Sequence, residues 1–254
     1  MELLKKIDFR IGTIVSVKPN IKAKNPSFIV DIDFGGTIGK KTTSAQLPAT
    51  YTEHELLQSK QVVCIVNFPM KKIAGLKSEV LIVGFPNEKS KVFLLNIRNV
   101  KVLNGKQILY LSSTMGTSSM TTTTTTIDQH MESTNESNMA SATSNFNGNI
   151  LPEITYEQFE AANIIVGTIK HIQQEQNSHE ATLTVDFGET IGDKSFVVQN
   201  LSSDVVYGPS TQLPVAINEQ TNEIIPLAIT QDDDHHSIVL LGVDRQVPNG
   251  GKLY

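Results

Sequence analysis

The chain has 254 residues, no tryptophan, one cysteine and a formal net charge of −5. It contains no run of 18 apolar residues, so no helical membrane span is expected, and Cys64 alone cannot make an internal disulfide. The opening Met1-Glu2-Leu3-Leu4-Lys5-Lys6-Ile7-Asp8 lacks the apolar run of a signal peptide, and the expected compartment is the reducing cytoplasm.

β signals dominate the first 111 residues. Residues 10–17 read as a strand, and residues 18–26, with two prolines and two asparagines, suit a hairpin loop. Residues 28–34 alternate large apolar with smaller or polar side chains, the pattern of a half-buried strand. Residues 40–46 form a polar strand expected at the surface. Thr52-x-x-Glu55 has the form of a capping box ahead of a short helix ending near Leu57. Residues 61–67, 79–84 and 92–97 are strongly apolar strands, the first of which holds Cys64 as a small buried residue. Asn104-Gly105 is a tight-turn dipeptide. Five or six short strands with one helix predict an all-β fold, a closed or partly closed five-stranded barrel of the OB type.

Residues 112–149 differ in kind. Six consecutive threonines (121–126) sit among Ser, Asn and Met, with no Lys or Arg. Such a composition cannot bury enough apolar surface to offset its ordering entropy, so a disordered linker is expected. A flexible chain near 40 residues has an end-to-end distance of roughly 35 Å, which lets the flanking parts touch. Beyond it, Thr155-Tyr156-Glu157-Gln158 has capping-box spacing, a short helix through Phe159 follows, and residues 164–170 read as a strand. Residues 224–230 and 237–243 are strands flanking Asp232-Asp233-Asp234-His235-His236. That run is expected as a solvated hairpin tip in preference to a cation site.

The second part repeats the first. Asp33-Phe34-Gly35-Gly36-Thr37-Ile38-Gly39 returns as Asp186-Phe187-Gly188-Glu189-Thr190-Ile191-Gly192, Ile11-Gly12-Thr13-Ile14 as Val166-Gly167-Thr168-Ile169, and Val102-Leu103-Asn104-Gly105 as Val247-Pro248-Asn249-Gly250. The expected domains are therefore 1–111, a linker over 112–149, and a degenerate repeat over 150–254. Their charges are opposite. Residues 1–111 carry 17 Lys/Arg against 8 Asp/Glu, a net of +9, and residues 150–254 carry 4 against 15, a net of −11. A basic repeat attracts a polyanion and an acidic one repels it.

Four ordered blocks carry a family likeness. They are Asp8-Phe9-Arg10-Ile11-Gly12, then Ile38-Gly39-Lys40-Lys41-Thr42-Thr43-Ser44-Ala45-Gln46, then Val66-Asn67-Phe68-Pro69, then Lys77-Ser78-Glu79-Val80-Leu81-Ile82-Val83-Gly84. Together they resemble the CsaA-type tRNA-binding domain, over about residues 5–108. Such domains are similar to those appended to some methionyl- and phenylalanyl-tRNA synthetases. The resemblance implies an OB barrel, tRNA binding and usually a homodimer, and its CsaA branch is described as an export-related chaperone. The second repeat departs from the pattern. Lys40 is matched by Asp193 and Ser44 by Val197, Asn67-Phe68-Pro69 by Asn218-Glu219-Gln220, and Ser78 to Leu81 roughly by Ile224-Ile225-Pro226-Leu227.

Barrels of this kind bind single-stranded nucleic acid through a basic track and stacking aromatics. Lys40, Lys41, Lys71, Lys72 and Lys77 are the candidate phosphate contacts. Ser44, Gln46, Asn67, Ser78 and Glu79 suit base edges or a 2′-hydroxyl, and Phe68 an unpaired base. Structural alternatives stand beside these. Ser78-Glu79 can serve backbone groups where a strand opens, Asn67 can shape a turn, and Arg10 can pair with Asp8 or Asp33. No nucleophile–base pair and no adenylate-forming signature is found, so a non-catalytic tRNA-binding protein without cofactor or metal is expected. The acidic repeat is expected as its intramolecular pseudo-dimer partner. The alternatives are a peptide-binding chaperone with an apolar groove near Phe68 and Ile73, with unfolded peptides as partners, and a scaffold subunit for aminoacyl-tRNA synthetases.

Overall fold

The structure, a computed structural model, describes residues 2–58, 60–98, 100–111, 149–174, 180–218, 221, 223–231 and 237–254. Residues 112–148 of the expected linker and the acidic run 232–236 lie outside the described residues. The first repeat comprises β1 (Phe9–Pro19), β2 (Phe28–Asp33), β3 (Lys40–Ala45), α1 (Glu53–Leu57), β4 (Gln61–Ile65), β5 (Lys71–Ile73), β6 (Leu76–Ser78), β7 (Leu81–Ile82), β8 (Gly84–Pro86), β9 (Val92–Asn96) and β10 (Leu109–Tyr110). The second comprises α2 (Tyr156–Glu160), β11 (Ile164–Gln174), β12 (Glu180–Asp186), β13 (Asp193–Gln199), β14 (Gln212–Asn218), β15 (Glu223–Thr230), β16 (Ile238–Leu240) and β17 (Gly242–Val243). Both short helices begin in complete capping boxes, Thr52 with Glu55 and Thr155 with Gln158. The fold is all-β, with sheet order β3-β2-β1-β4-β7 in the first repeat and β15-β14-β11-β12-β13 at the heart of the second.

The duplicated sequence blocks are the parts that must meet to close each barrel. Asp33 Oδ1 accepts from the Gly35 N–H at 2.9 Å and Asp186 Oδ1 from the Gly188 N–H at 2.8 Å. Both glycines sit at positive φ, 80° and 84°, which disfavours a side chain there. Gly12 and Gly167 let the aromatic of this turn pack closely against the neighbouring strand. A Cβ on Gly167 would stand 2.4 Å from the Phe187 ring. Thr13 donates to Asn104 Oδ1 at 2.7 Å and Thr168 to Asn249 Oδ1 at 2.6 Å. The three repeated motifs are thus bonded or packed to one another in each barrel.

The expected strand over 79–84 is broken. β7 pairs with β4, the chain switches partner at Val83, and β8 pairs with β9. The hairpin β5–β6 was not expected from the sequence. It turns through Ala74 and Gly75, both at positive φ, the conformation of a tight two-residue hairpin.

The two repeats share sheets and a core. β10 of the first pairs with β15 of the second, and β17 of the second pairs with β9 of the first. Gly84 and Tyr254 exchange both backbone hydrogen bonds, at 2.9 and 3.1 Å. A tyrosine hydroxyl in each repeat accepts from a strand N–H: Tyr51 from Leu94 and Tyr207 from Leu240, both at 2.9 Å. This matches Leu94 to Leu240, and therefore Asn96 to Gly242. Those two matched residues pair with each other, so an approximate two-fold axis runs between them. The arrangement is that of an isologous dimer contained in one chain. On β4, Val62 and Cys64 point into their own barrel while Val63 and Ile65 join the core shared with the second repeat. Cys64 is fully buried, which pushes its thiol pKa up.

Polar contacts near the axis are not symmetric. Asp244 accepts from Tyr51 Oη at 3.0 Å and Asn96 Nδ2 at 3.2 Å, and pairs with Lys60. Arg245 reaches Glu55 at 3.0 Å and lies over the Tyr51 ring. On the other side, Arg98 lies 5.4 Å from the Tyr207 ring centroid and donates to Gln212 O at 3.3 Å.

Candidate nucleic-acid interface

Strand β3, the Asn67–Pro69 turn and the hairpin β5–β6 surround a cleft of about 410 Å³. Ser44, Gln46, Phe68, Lys71, Ser78 and Glu79 of the expected set line it, together with Ile73 and with Tyr156 and Tyr254 of the second repeat. Lys40, Lys72 and Lys77 are exposed outside its walls. Lys41 stands 3.5 Å from Glu79.

Three expected contacts turn out to hold the barrel. Asn67 is 2% exposed. Its amide donates to Lys6 O at 2.7 Å and Pro152 O at 2.8 Å, and accepts from the Asp8 N–H at 2.9 Å. Both its donors are used inside the fold and the side chain is buried, and it fastens the approach to the second repeat. Ser78 is 8% exposed, and its hydroxyl bonds Thr43 Oγ1 at 2.9 Å. Glu79 accepts from the Thr42 N–H at 2.9 Å and donates its own N–H to Thr42 O at 2.9 Å. These bonds join β3 to the end of β6 and the residue after it and help to close the barrel. Phe196, fully buried, occupies the place of Thr43 in the second repeat. Arg10 is also internal: its Nε is 2.5 Å from Asp8 Oδ1, and Nη1 donates to Gly105 O at 3.0 Å.

Of the remaining residues, Ser44 and Gln46 lie toward the surface, and Phe68 is partly buried against the shared core. Ser44 Oγ accepts from Asn20 Nδ2 at 3.0 Å, and Gln46 is exposed. Phe68 meets Phe159 edge-on at 5.8 Å and Tyr156 at 6.5 Å between centroids. The Lys71 ammonium lies 5.8 Å from the Tyr156 ring centroid. Burial, with Glu160 and Tyr254 nearby, raises the Tyr156 phenol pKa. Lys72 and Lys77 stand directly opposite each other across the hairpin. Neither has an ion-pair partner among the described residues.

Strand register corrects one match between the repeats. Cys64 pairs with Ile82 and its counterpart Val215 with Pro226. Glu79 therefore corresponds to Glu223, two positions from the equivalence read in the sequence, and its carboxylate is retained. Lys40 does correspond to Asp193, which binds Lys170 at 2.9 Å. Tyr156 and Tyr254 were missed because they come from the other repeat.

Among the described residues no cluster of His, Cys, Asp and Glu fits a metal ion, and no helix is long and apolar enough to cross a membrane. A small all-β barrel with a lysine-flanked cleft is the OB-type architecture expected from the sequence. Residues 9–107 match the family model of a putative tRNA binding domain. That match lies within the first repeat. A methionine–tRNA ligase from Pyrococcus furiosus is 33% identical over 101 residues, 40% of this chain and 13% of the ligase. This chain therefore spans only a small part of that relative. The CsaA chaperone from Bacillus anthracis str. Ames is 39% identical, over 42% of this chain and 94% of that one, with a TM-score of 0.39. The CsaA chaperone protein from Picrophilus torridus is 36% identical, over 41% and 92%, with a TM-score of 0.38.

Proposed function

We propose that this chain is a non-catalytic tRNA-binding protein of the cytoplasm. Residues 1–111 carry the RNA and residues 150–254 serve as a built-in dimer partner, with 112–149 joining them. The observation that carries the reading is the hairpin β5–β6, where Lys72 and Lys77 face each other with no counter-ion among the described residues. Like charges set directly opposite destabilise a sheet, so an external polyanion is their natural partner. The family match over 9–107 supports tRNA as that polyanion. The roles follow from position: Lys71, Lys72 and Lys77 contact phosphates beside the cleft, Lys40 and Lys41 extend the track along β3, and Ser44 and Gln46 meet base edges. Binding of total tRNA by the full chain, weakening steeply with salt, is the test. Salt-independent binding overturns it.

A second reading has its own support. The cleft is mainly apolar, with Phe68 and Ile73 in its walls, as a CsaA-like peptide-binding chaperone requires. In that reading unfolded peptides bind without regard to salt and displace no RNA.

A further inference from the structure

We infer that the acidic repeat supplies part of the binding cleft: Tyr156 and Tyr254, with Phe68, form a stacking site for an unpaired nucleobase at the seam between the repeats. The inference rests on the reading of the basic repeat as RNA-binding. It gives that site its ligand class and makes the second repeat a contributor as well as a support.

The chain has five tyrosines. Tyr51, Tyr110 and Tyr207 each engage their hydroxyls within the fold, with Leu94, Ile7 and Leu240 respectively. The other two, Tyr156 and Tyr254, are 37% and 56% exposed, and both border the same cleft. The backbone of each is anchored. Tyr156 is the first residue of α2, fixed by the Thr155–Gln158 capping box. Tyr254 is tied to Gly84 by two backbone hydrogen bonds. Phe68 comes from the first repeat and lies within ring-contact distance of Tyr156.

The surroundings select a nucleobase over an apolar side chain. Lys71 stands beside the Tyr156 ring, and the paired lysines of β5–β6 lie next along the hairpin. A base inserted among the rings brings its phosphates to that cationic edge. Stacking faces beside a basic track are what single-strand binding uses, and every base has such a face. The pseudo-equivalent position is not equipped for this. There Phe68 is replaced by Glu219, Ser44 by Val197 and Tyr254 by Leu109, and no lysine pair matches Lys72 and Lys77. The chain therefore takes one strand, on one side of its two-fold axis.

The test uses the full chain and two probes at one salt concentration, an unstructured RNA oligonucleotide and a blunt RNA duplex. Because the protein lacks tryptophan, its emission is tyrosine emission. The oligonucleotide is expected to quench it, and the duplex to quench it much less. Tyr156→Ala with Tyr254→Ala is expected to weaken oligonucleotide binding about five- to 150-fold, the range for losing a stacked base. Duplex binding and melting temperature stay near the parent. Tyr156→Phe with Tyr254→Phe retains both rings and is expected to bind like the parent.

Several results overturn the inference. Unaltered oligonucleotide affinity in the alanine variant, with weakened binding in Lys72→Gln/Lys77→Gln, removes the stacking site and leaves the RNA reading standing. Equal loss for oligonucleotide and duplex removes it too. Quenching by an apolar peptide that the oligonucleotide cannot displace assigns the cleft to peptides. Absence of RNA binding by the parent removes both readings.

Discussion

Replacing Lys72 and Lys77 with glutamine separates what these charges do for RNA from what they do for the fold. The side chains are exposed and directly opposed on β5–β6. Exposed substitutions usually stay within about 0.5 kcal/mol, and removing an opposed like-charge pair acts in the stabilising direction. The melting temperature is expected to hold or rise slightly. RNA affinity responds on another scale. Each phosphate contact contributes a slope of about −0.7 to −0.9 to log K against log salt. Losing two contacts flattens that slope by about 1.4 to 1.8. Extrapolated from 1 M to 0.1 M salt, this weakens binding roughly 25- to 60-fold. Fluorescence anisotropy of labelled tRNA across a salt series reads both slope and affinity. Salt plots parallel to the parent's would refute the phosphate role. A fall in melting temperature of more than about 5 °C would make the pair structural, since that corresponds to about 1 kcal/mol or more.

Three further outcomes follow from packing and charge. Asp244→Ala strands Lys60 and the Tyr51 hydroxyl at the seam between repeats; a loss of about 2–3 kcal/mol is expected in denaturant unfolding, below the range for breaking a fully buried pair. Gly167→Ala sets a Cβ 2.4 Å from the Phe187 ring, and overpacking of this kind costs about 1–3 kcal/mol, which thermal melting will register. Burial raises the Tyr207 pKa to about 12, above the ordinary phenol value near 10. The stability this gives is complete below about pH 10 and is lost as pH rises toward 12, so melting temperatures should fall across that window, less so in Tyr207→Phe.

The sequence exposes those parts of the fold that each repeat settles for itself. The capping boxes, the strand of residues 28–34 and the Asn104 turn depend on neighbours close in the chain or on internal alternation. Strand β4 shows where this stops. Its unbroken apolar run signals burial on both faces, yet nothing local says that Val63 and Ile65 meet the other repeat. The break at Val83 has the same origin, because β8 pairs with β9 in the sheet that β17 of the second repeat completes. At the cleft, Lys71 and Phe68 are residue types that the sequence offers for RNA, with the other lysines outside its walls. For Asn67 and Ser78 the sequence leaves a structural and a binding role both open, since a buried polar side chain and a surface one look alike until their partners are known. Tyr156 carries one usable signal, its place as the first helical residue after a capping threonine. Tyr254 carries none, for it reaches the cleft only through its pairing with Gly84.

Strand sharing between repeats also imposes a waiting time on synthesis. The edge of β9 is completed by β17, and the two lie about 150 residues apart in the chain; at roughly 5–20 residues per second the gap lasts on the order of 10 s. During it the first barrel holds a bare strand edge beside Val63, Ile65, Phe85 and Leu95. Such an edge will pair with any suitable strand that arrives first. On a crowded polysome that can be the second repeat of a neighbouring nascent chain, giving an exchanged dimer with the same local contacts. The fraction of such dimers should therefore rise with expression rate, and dilution after synthesis should not reverse it quickly.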